Sequence, residues 1–170
     1  KHSKLLVVFL LSISLISIEI IWTRIFSAEY FYTFAFLILS MAILGLGLGA
    51  LTLRLFSKLT NEKLLPVFLI LTSLTGLIGP IVVFKLNLDF SAILSSYSMI
   101  FKILLTILIL SSSFFFGGIS LSQIFRNYNK NIDKLYMADL IGAAFGVLVS
   151  VLLMNLIGTA EATFVVSIPV

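Results

Sequence analysis

Hydrophobic residues along this chain form long runs that short polar stretches separate. A helix that crosses the hydrocarbon core of a bilayer takes about 20 apolar residues. Five runs meet or approach that length, at 5–26, 30–56, 64–84, 100–125 and 135–157. A sixth run starts at 162 and stops at 170, which is too short to span. We therefore expect an all-α polytopic transmembrane bundle with five complete helices and the start of a sixth.

We expect residues 1–170 to form one transmembrane domain that belongs to a longer protein. Hydrophobic residues make up 61% of the chain and charged residues only 11%. A soluble domain is about half apolar and about a quarter charged, so a water-soluble fold could not cover this much apolar surface. In a bilayer, lipid covers the apolar surface and no protein partner is needed. The lipid bilayer is accordingly the first partner that the sequence predicts.

Basic residues are unevenly distributed between the two sets of connections. Eight of the eleven fall on one side, in the N-terminal segment and in the second and fourth connections. They are Lys1, Lys4, Arg54, Lys58, Lys63, Arg126, Lys130 and Lys134. The positive-inside rule then predicts a multi-pass protein of the bacterial inner membrane with a cytoplasmic N-terminus. Because these residues alternate with apolar runs, they do not indicate a nucleic-acid interface.

Glu19 and Arg24 interrupt the end of the first hydrophobic run. Charges within the hydrocarbon are costly, which makes each a candidate for function. One interpretation is an acid that binds a cation or a proton. The other is a structural ion pair between Glu19 and a basic residue near the outer boundary, with Trp22 as an interface anchor.

Asp139 lies about one turn inside the predicted fifth helix, where the helix dipole favours a carboxylate. Arg54, Gln123 and Arg126 are predicted to lie at a similar depth on the second and fourth helices. We expect Asp139 to be a first-turn structural acid with one of these three as its partner. A ligand or proton site is the alternative.

Two pairs of glycines have the spacing of membrane helix contacts. Gly45 and Gly49 are four residues apart, as are Gly142 and Gly146, so each pair shares one helix face. Small residues at this spacing let helix backbones approach closely. We expect the two faces to contact each other, or each to meet another helix. A phosphate-binding loop is a poor alternative, since such a loop follows a strand.

The sequence predicts no catalytic residues and no metal site. His2 is the only histidine, and the chain has no cysteine. This leaves no Ser/His/Asp set, no Cys/His set and no cluster of ligands at metal-binding spacing.

Four stretches, in order, resemble one protein family. They are Glu19-Ile-Ile-Trp-Thr-Arg24-Ile-Phe-Ser, residues 36–49 with their three glycines, Phe114-Phe-Phe-Gly-Gly118, and Leu135-Tyr-Met-Ala-Asp139-Leu-Ile-Gly142-Ala-Ala-Phe-Gly146. Together they look like the membrane half of bacterial polytopic spermidine synthase-like proteins. The most specific element is Tyr136-x-x-Asp139-x-x-Gly142-x-x-x-Gly146. The chain departs from the family at Asp133-Lys134, where Gly-Arg is common, and at Ser113, where proline is common.

The resemblance implies a function for the whole protein. In this family a multi-helix N-terminal region precedes a soluble aminopropyltransferase domain, which uses decarboxylated S-adenosylmethionine and a diamine such as putrescine. That catalytic domain is absent from this chain, so no catalytic residue and no cofactor can be placed on it. The expected role is to anchor or serve the C-terminal domain, with a polyamine or another small cation as a further partner. The alternatives are a transporter or half-transporter for a small cationic solute, and a structural membrane protein without enzymatic activity.

Overall fold

A computed structural model of the chain describes residues 2–30, 33–86, 88 and 97–168, and these are almost entirely helical with no strand among them. The long helices are α1 (His2–Glu29), α2 (Thr33–Leu55), α3 (Leu65–Lys85), α4 (Tyr97–Asn127) and α5 (Ile132–Ile157). A shorter helix, α6, covers Thr159–Ser167. Three 3₁₀ turns, Ser57–Thr60, Glu62–Leu64 and Asn129–Asn131, lie in the connections before α3 and α5.

The five long helices have the length and apolar composition needed to span a membrane, so the chain is a multi-pass membrane protein. This confirms the predicted all-α bundle. The observed ends of the long helices lie within three residues of the predicted ones. The agreement follows from the bilayer itself, whose thickness fixes how many apolar residues a spanning helix needs.

Helix α1 lies at the centre of the bundle and contacts α2, α4, α5 and α6, while α4 packs against α2 and α3. Half of the most apolar window of α1 is buried, compared with 17% for α5, which presents most of its surface outwards. A continuous interior of large side chains follows α1 and includes Trp22 and Phe26, both almost fully buried. Trp22 meets Phe114 of α4 edge to face, with ring centroids 5.6 Å apart.

The helices run alternately up and down, which gives the bundle two distinct ends. Val8, Leu65, Ile124 and Leu135 pack together at one end, where α1, α3 and α5 begin and α2 and α4 finish. We call it the basic end, because it carries the connections 56–64 and 128–131 with their lysines. At the opposite end the rings of Phe26 and Phe84 stack with centroids 5.4 Å apart.

The contact between α2 and α4 depends on glycine. A Cβ atom on Gly45 would lie 2.8 Å from the carbonyl oxygen of Ser111, and one on Gly49 would lie 2.8 Å from the backbone nitrogen of Ile119. Gly118 of α4 lies equally close to α2, since a Cβ atom on it would lie 2.6 Å from the carbonyl oxygen of Leu46. The two backbones therefore touch directly over more than one helical turn, as small residues permit within a membrane.

The glycines of α5 face a different helix. A Cβ atom on Gly142 would lie 2.6 Å from the carbonyl oxygen of Phe9, and one on Gly146 would lie 2.9 Å from that of Ile13, both in α1. The expectation that the two glycine faces meet each other is therefore wrong, and the alternative that each meets another helix is confirmed. The reason is that α1 lies beside α5 and provides that close contact itself.

Helix α6 turns back into the bundle at Gly158. This glycine has a φ of 90°, a left-handed conformation that side chains disfavour. Val166 accepts a hydrogen bond from Ser14 of α1, and Ser167 accepts one of 2.6 Å from Ser73 of α3 through its carbonyl oxygen. Two hydroxyls from neighbouring helices thus satisfy backbone carbonyls of α6 where lipid could not.

The α2–α4 contact makes a testable prediction for two glycines of the same helix. Gly49→Ala places a methyl group against the backbone of α4, whereas a Cβ on Gly47 meets nothing within 4 Å. We expect Gly49→Ala to lower the free energy of unfolding by about 1–3 kcal/mol, the usual range for overpacking. The matched control Gly47→Ala should be neutral or slightly stabilising, because alanine is the better helix former. Reversible unfolding in detergent micelles measures both, and equal effects would contradict this account of the contact.

Candidate functional site

Asp139 of α5 binds a hydroxyl of the central helix. Ser12 of α1 donates a short hydrogen bond to the Asp139 Oδ1 atom, and its Oγ also lies 2.8 Å from the carbonyl oxygen of Val8. A serine hydroxyl has one proton, so these two acceptors share it. Ser12 is buried at 4% exposure and Asp139 is half-buried, which places the bond inside the bundle.

This hydrogen bond is part of a continuous seam between α1 and α5. Asp139, Gly142 and Gly146 are spaced by three and four residues and therefore share one helix face. Ser17 of α1 donates a 2.9 Å hydrogen bond to the carbonyl oxygen of Gly146, about two turns beyond Asp139 on α5. We call these residues, with Ser12, the α1–α5 seam. Its glycines bring the backbones together, and its polar groups are then close enough to bond.

The structure corrects the expected surroundings of Asp139. Helix α5 begins at Ile132 rather than 135, so Asp139 lies about two turns inside it and Asp133 occupies the first turn. The helix dipole acts mainly within the first turn, so it does not account for Asp139. At 1.5 Å per residue, Asp139 lies about 8 Å from the centre of α5. It is a carboxylate within the membrane-length part of α5 rather than a first-turn acid.

None of the three expected partners binds Asp139 among the described residues. Gln123 donates from Nε2 to the carbonyl oxygen of Asn61 at 2.6 Å, and Arg126 donates from Nη1 to that of Leu53 at 3.2 Å. Arg54 is exposed at the end of α2. The prediction failed because it used depth alone, while the bundle places α4 against α2 and α5 against α1.

The polar side chains near the end of α4 instead bind backbone carbonyls at the basic end. Gln123 and Asn127, on the last turns of α4, both donate to backbone carbonyls of the connection between α2 and α3. Next to them, Tyr128 hydrogen-bonds to Glu62, which raises the pKa of the Tyr128 phenol above its ordinary value. The ammonium of Lys4 lies 5.6 Å from the centre of the same ring, within the range of a cation–π contact.

Glu19 lies well inside α1 rather than at its end. It is about 5 Å from the centre of α1, measured at 1.5 Å per residue. Its side chain is half-buried, and no hydrogen bond or ion pair links it to another described residue. Arg24 is exposed and about 140° away around the helix, so the two are poorly placed to pair. The expected ion pair near the headgroups is thus not formed within the described ranges.

Trp22 is a core residue rather than an interface anchor. Its side chain is fully buried between Phe114 and Gly79, and its indole Nε1 has no hydrogen-bond partner within the part of the chain that the structure describes. The expected anchoring at the headgroups is therefore wrong. About two turns of α1 follow Trp22 before the helix ends at Glu29, and they place Trp22 beneath the packed aromatic rings of Phe26 and Phe84.

Sequence reasoning missed the serines of α1. Ser12, Ser14 and Ser17 are almost completely buried; Ser12 and Ser17 donate to α5, and Ser14 donates to α6. The available signal was three hydroxyls within six residues of an apolar run, because hydroxyls in membrane helices commonly bond across helix contacts. What the sequence does not show is which helix receives each bond.

The described residues offer no cluster of metal-binding side chains. No group of three or more His, Cys, Asp and Glu side chains in those ranges could hold a metal ion. Comparison of this chain with known proteins found no match among protein-family models, curated proteins or solved structures. The two candidates for function are therefore Asp139, which has a partner, and Glu19, which has none among the described residues.

The seam predicts energetic coupling between Ser12 and Asp139. We expect Ser12→Ala and Asp139→Leu each to destabilise the protein in detergent, and the double variant to lose less than the sum. The coupling should be about 0.6 kcal/mol, the average for hydrogen bonds between membrane helices, and below about 2 kcal/mol. Ser40→Ala is the control, since Ser40 is exposed and bonds only within its own helix.

Asp139→Asn separates structure from activity at the same position. The amide keeps an acceptor oxygen for Ser12 but loses the charge, and a hydrogen bond to a neutral acceptor is weaker than one to a carboxylate. If Asp139 is structural, stability falls and any activity of the full-length protein falls only with it. Unchanged stability with lost activity would instead assign Asp139 to a ligand or proton site.

Proposed function

We propose that this chain is the membrane-embedded region of a spermidine synthase-like protein, which anchors or serves a cytoplasmic aminopropyltransferase domain outside residues 1–170. The observation that carries the proposal is where the resembling stretches lie. Each of the four contributes residues to helix contacts, so the motif corresponds to the way this bundle packs.

The helix contacts made by each of the four resembling stretches support the proposal. Trp22 of the first stretch packs on Phe114 of the third, and Gly49 of the second lies against the backbone of Ile119, next to the third. Asp139 and Gly146 of the fourth form the seam with α1, which contains the first. A motif whose members meet in space is what a shared membrane fold predicts. The motif residues therefore support an anchoring role more directly than a catalytic one.

The proposed orientation places the basic end in the cytoplasm of a bacterium, at the inner membrane. Basic residues cluster in the connections at that end, and short loops of this kind are retained on the cytoplasmic side. Decarboxylated S-adenosylmethionine and putrescine, the substrates implied by the resemblance, are cytoplasmic. A catalytic domain on that side would have direct access to them.

A second function is favoured by Glu19. A carboxylate about 5 Å from the helix centre, with no described partner, is costly in lipid and often marks a cation or proton path. A transporter or half-transporter for a small cationic solute, a polyamine among them, would use such a group. Asp139 fits this role less well, because Ser12 already binds it.

The full-length product of the reading frame distinguishes these functions. Membranes that contain it should form spermidine from putrescine and decarboxylated S-adenosylmethionine, as measured by mass spectrometry, and Glu19→Gln should leave that rate unchanged. Membranes without the protein are the negative control, and added soluble spermidine synthase is the positive control.

Failure to form spermidine beside a working positive control would contradict the anchoring proposal. Sealed vesicles of the same membranes then test the second function. Accumulation of labelled putrescine that Glu19→Gln abolishes would replace the first function with transport. If neither activity appears, a structural membrane protein becomes the better interpretation.

A further inference from the structure

The basic end brings together two arginines that are 72 positions apart in sequence. Arg126 of α4 donates from Nη1 to the carbonyl oxygen of Leu53 at 3.2 Å, and Arg54 is the next residue of α2. The carbonyls in the last turn of a helix have no partner within the helix, so this bond satisfies one of them. It also fixes the guanidinium of Arg126 beside the backbone of Arg54.

Both guanidiniums remain available to an anion. Arg54 and Arg126 are exposed, and neither forms an ion pair with a described residue. One bond to Leu53 uses one of the five N–H donors of Arg126, and Arg54 uses none within the described ranges. Arginine is suited to phosphate because its planar fork donates two parallel hydrogen bonds.

The surroundings of this pair are also basic. Lys58 and Lys63 are exposed in the connection between α2 and α3, and Lys130 follows α4. The connection is held against α4 by the bonds from Gln123 and Asn127. Its positive charge is therefore kept next to the two arginines. The connection contains one acid, Glu62, so its two lysines leave it with a net positive charge.

Apolar side chains flank the arginines on the lipid-facing side. Leu51 and Leu55 are exposed near the end of α2, and Phe56 is exposed directly after it. Positive charge at the edge of a spanning helix, directly beside exposed apolar side chains, matches a molecule with an anionic head and hydrocarbon tails.

We propose that Arg54 and Arg126 form a binding site for the phosphate headgroup of an anionic phospholipid, with its acyl chains against the exposed apolar side chains of α2. The site lies where α2 and α4 meet at the basic end, so occupancy would link the two helices that the glycines bring together. The proposal does not depend on the enzymatic or transport function.

The test measures lipid binding to the purified chain in a neutral detergent. Native mass spectrometry gives the dissociation constants for phosphatidylglycerol and for phosphatidylcholine as the zwitterionic comparison. We expect phosphatidylglycerol to bind more tightly, and Arg54→Gln to weaken it about fivefold, as expected for one basic residue near an anionic surface. Arg54 makes no described hydrogen bond, so this change should leave the fold intact.

Two further variants make the result specific. Arg24→Gln removes an exposed arginine at the opposite end of the bundle and should leave the affinity unchanged. Arg54→Lys keeps the charge and should retain part of the affinity. Equal weakening by Arg24→Gln, or wild-type affinity of Arg54→Gln, would overturn the proposal. Full competition by inorganic phosphate would also overturn it, because the site would then be a simple anion site rather than a lipid site.

Discussion

Close approach between helix backbones is the constraint on which the rest of this bundle depends. Lipid is as apolar as the helices it surrounds, so hydrophobic burial contributes little to their association. Van der Waals contact and hydrogen bonds must hold them together, and both need short distances. Gly45, Gly49 and Gly118 provide those distances between α2 and α4, while Gly142 and Gly146 provide them between α1 and α5. The hydroxyls of Ser12 and Ser17 then reach acceptors on the neighbouring helix.

This arrangement explains which features of the sequence are structural. Asp139 could bind a ligand, but its position on the glycine face gives it a partner on α1. Arg126 satisfies a carbonyl in the last turn of α2, and Gln123 binds a carbonyl of the connection between α2 and α3. Glu19 differs from all of these, since no hydrogen bond or ion pair with a described residue accounts for a charge so near the centre of α1. It is the residue for which packing offers no explanation.

The sequence predicted the bounds of the helices better than it predicted which helices pack together, and the reason is physical. Helix length follows from bilayer thickness, which any apolar run of sufficient length reveals. Contacts between helices depend on how each is rotated and placed, and a single run does not encode the partner. Gly142 shows this, because its spacing to Gly146 predicted a close contact but not that α1 would make it. The role of Trp22 was misjudged because the sequence does not show that Phe114 of α4 and Gly79 of α3 enclose its ring.

Cross-linking in native membranes tests the arrangement most directly, and the natural chain has no cysteine to interfere. Cysteines at Ser12 and Asp139 should be joined rapidly by a short thiol-reactive cross-linker, because those side chains touch across α1 and α5. Cysteines at Gln123 and Asp139 should not be joined, because Gln123 faces the connection between α2 and α3. Efficient cross-linking of the second pair without the first would contradict the packing of α5 against α1 and the account built on it.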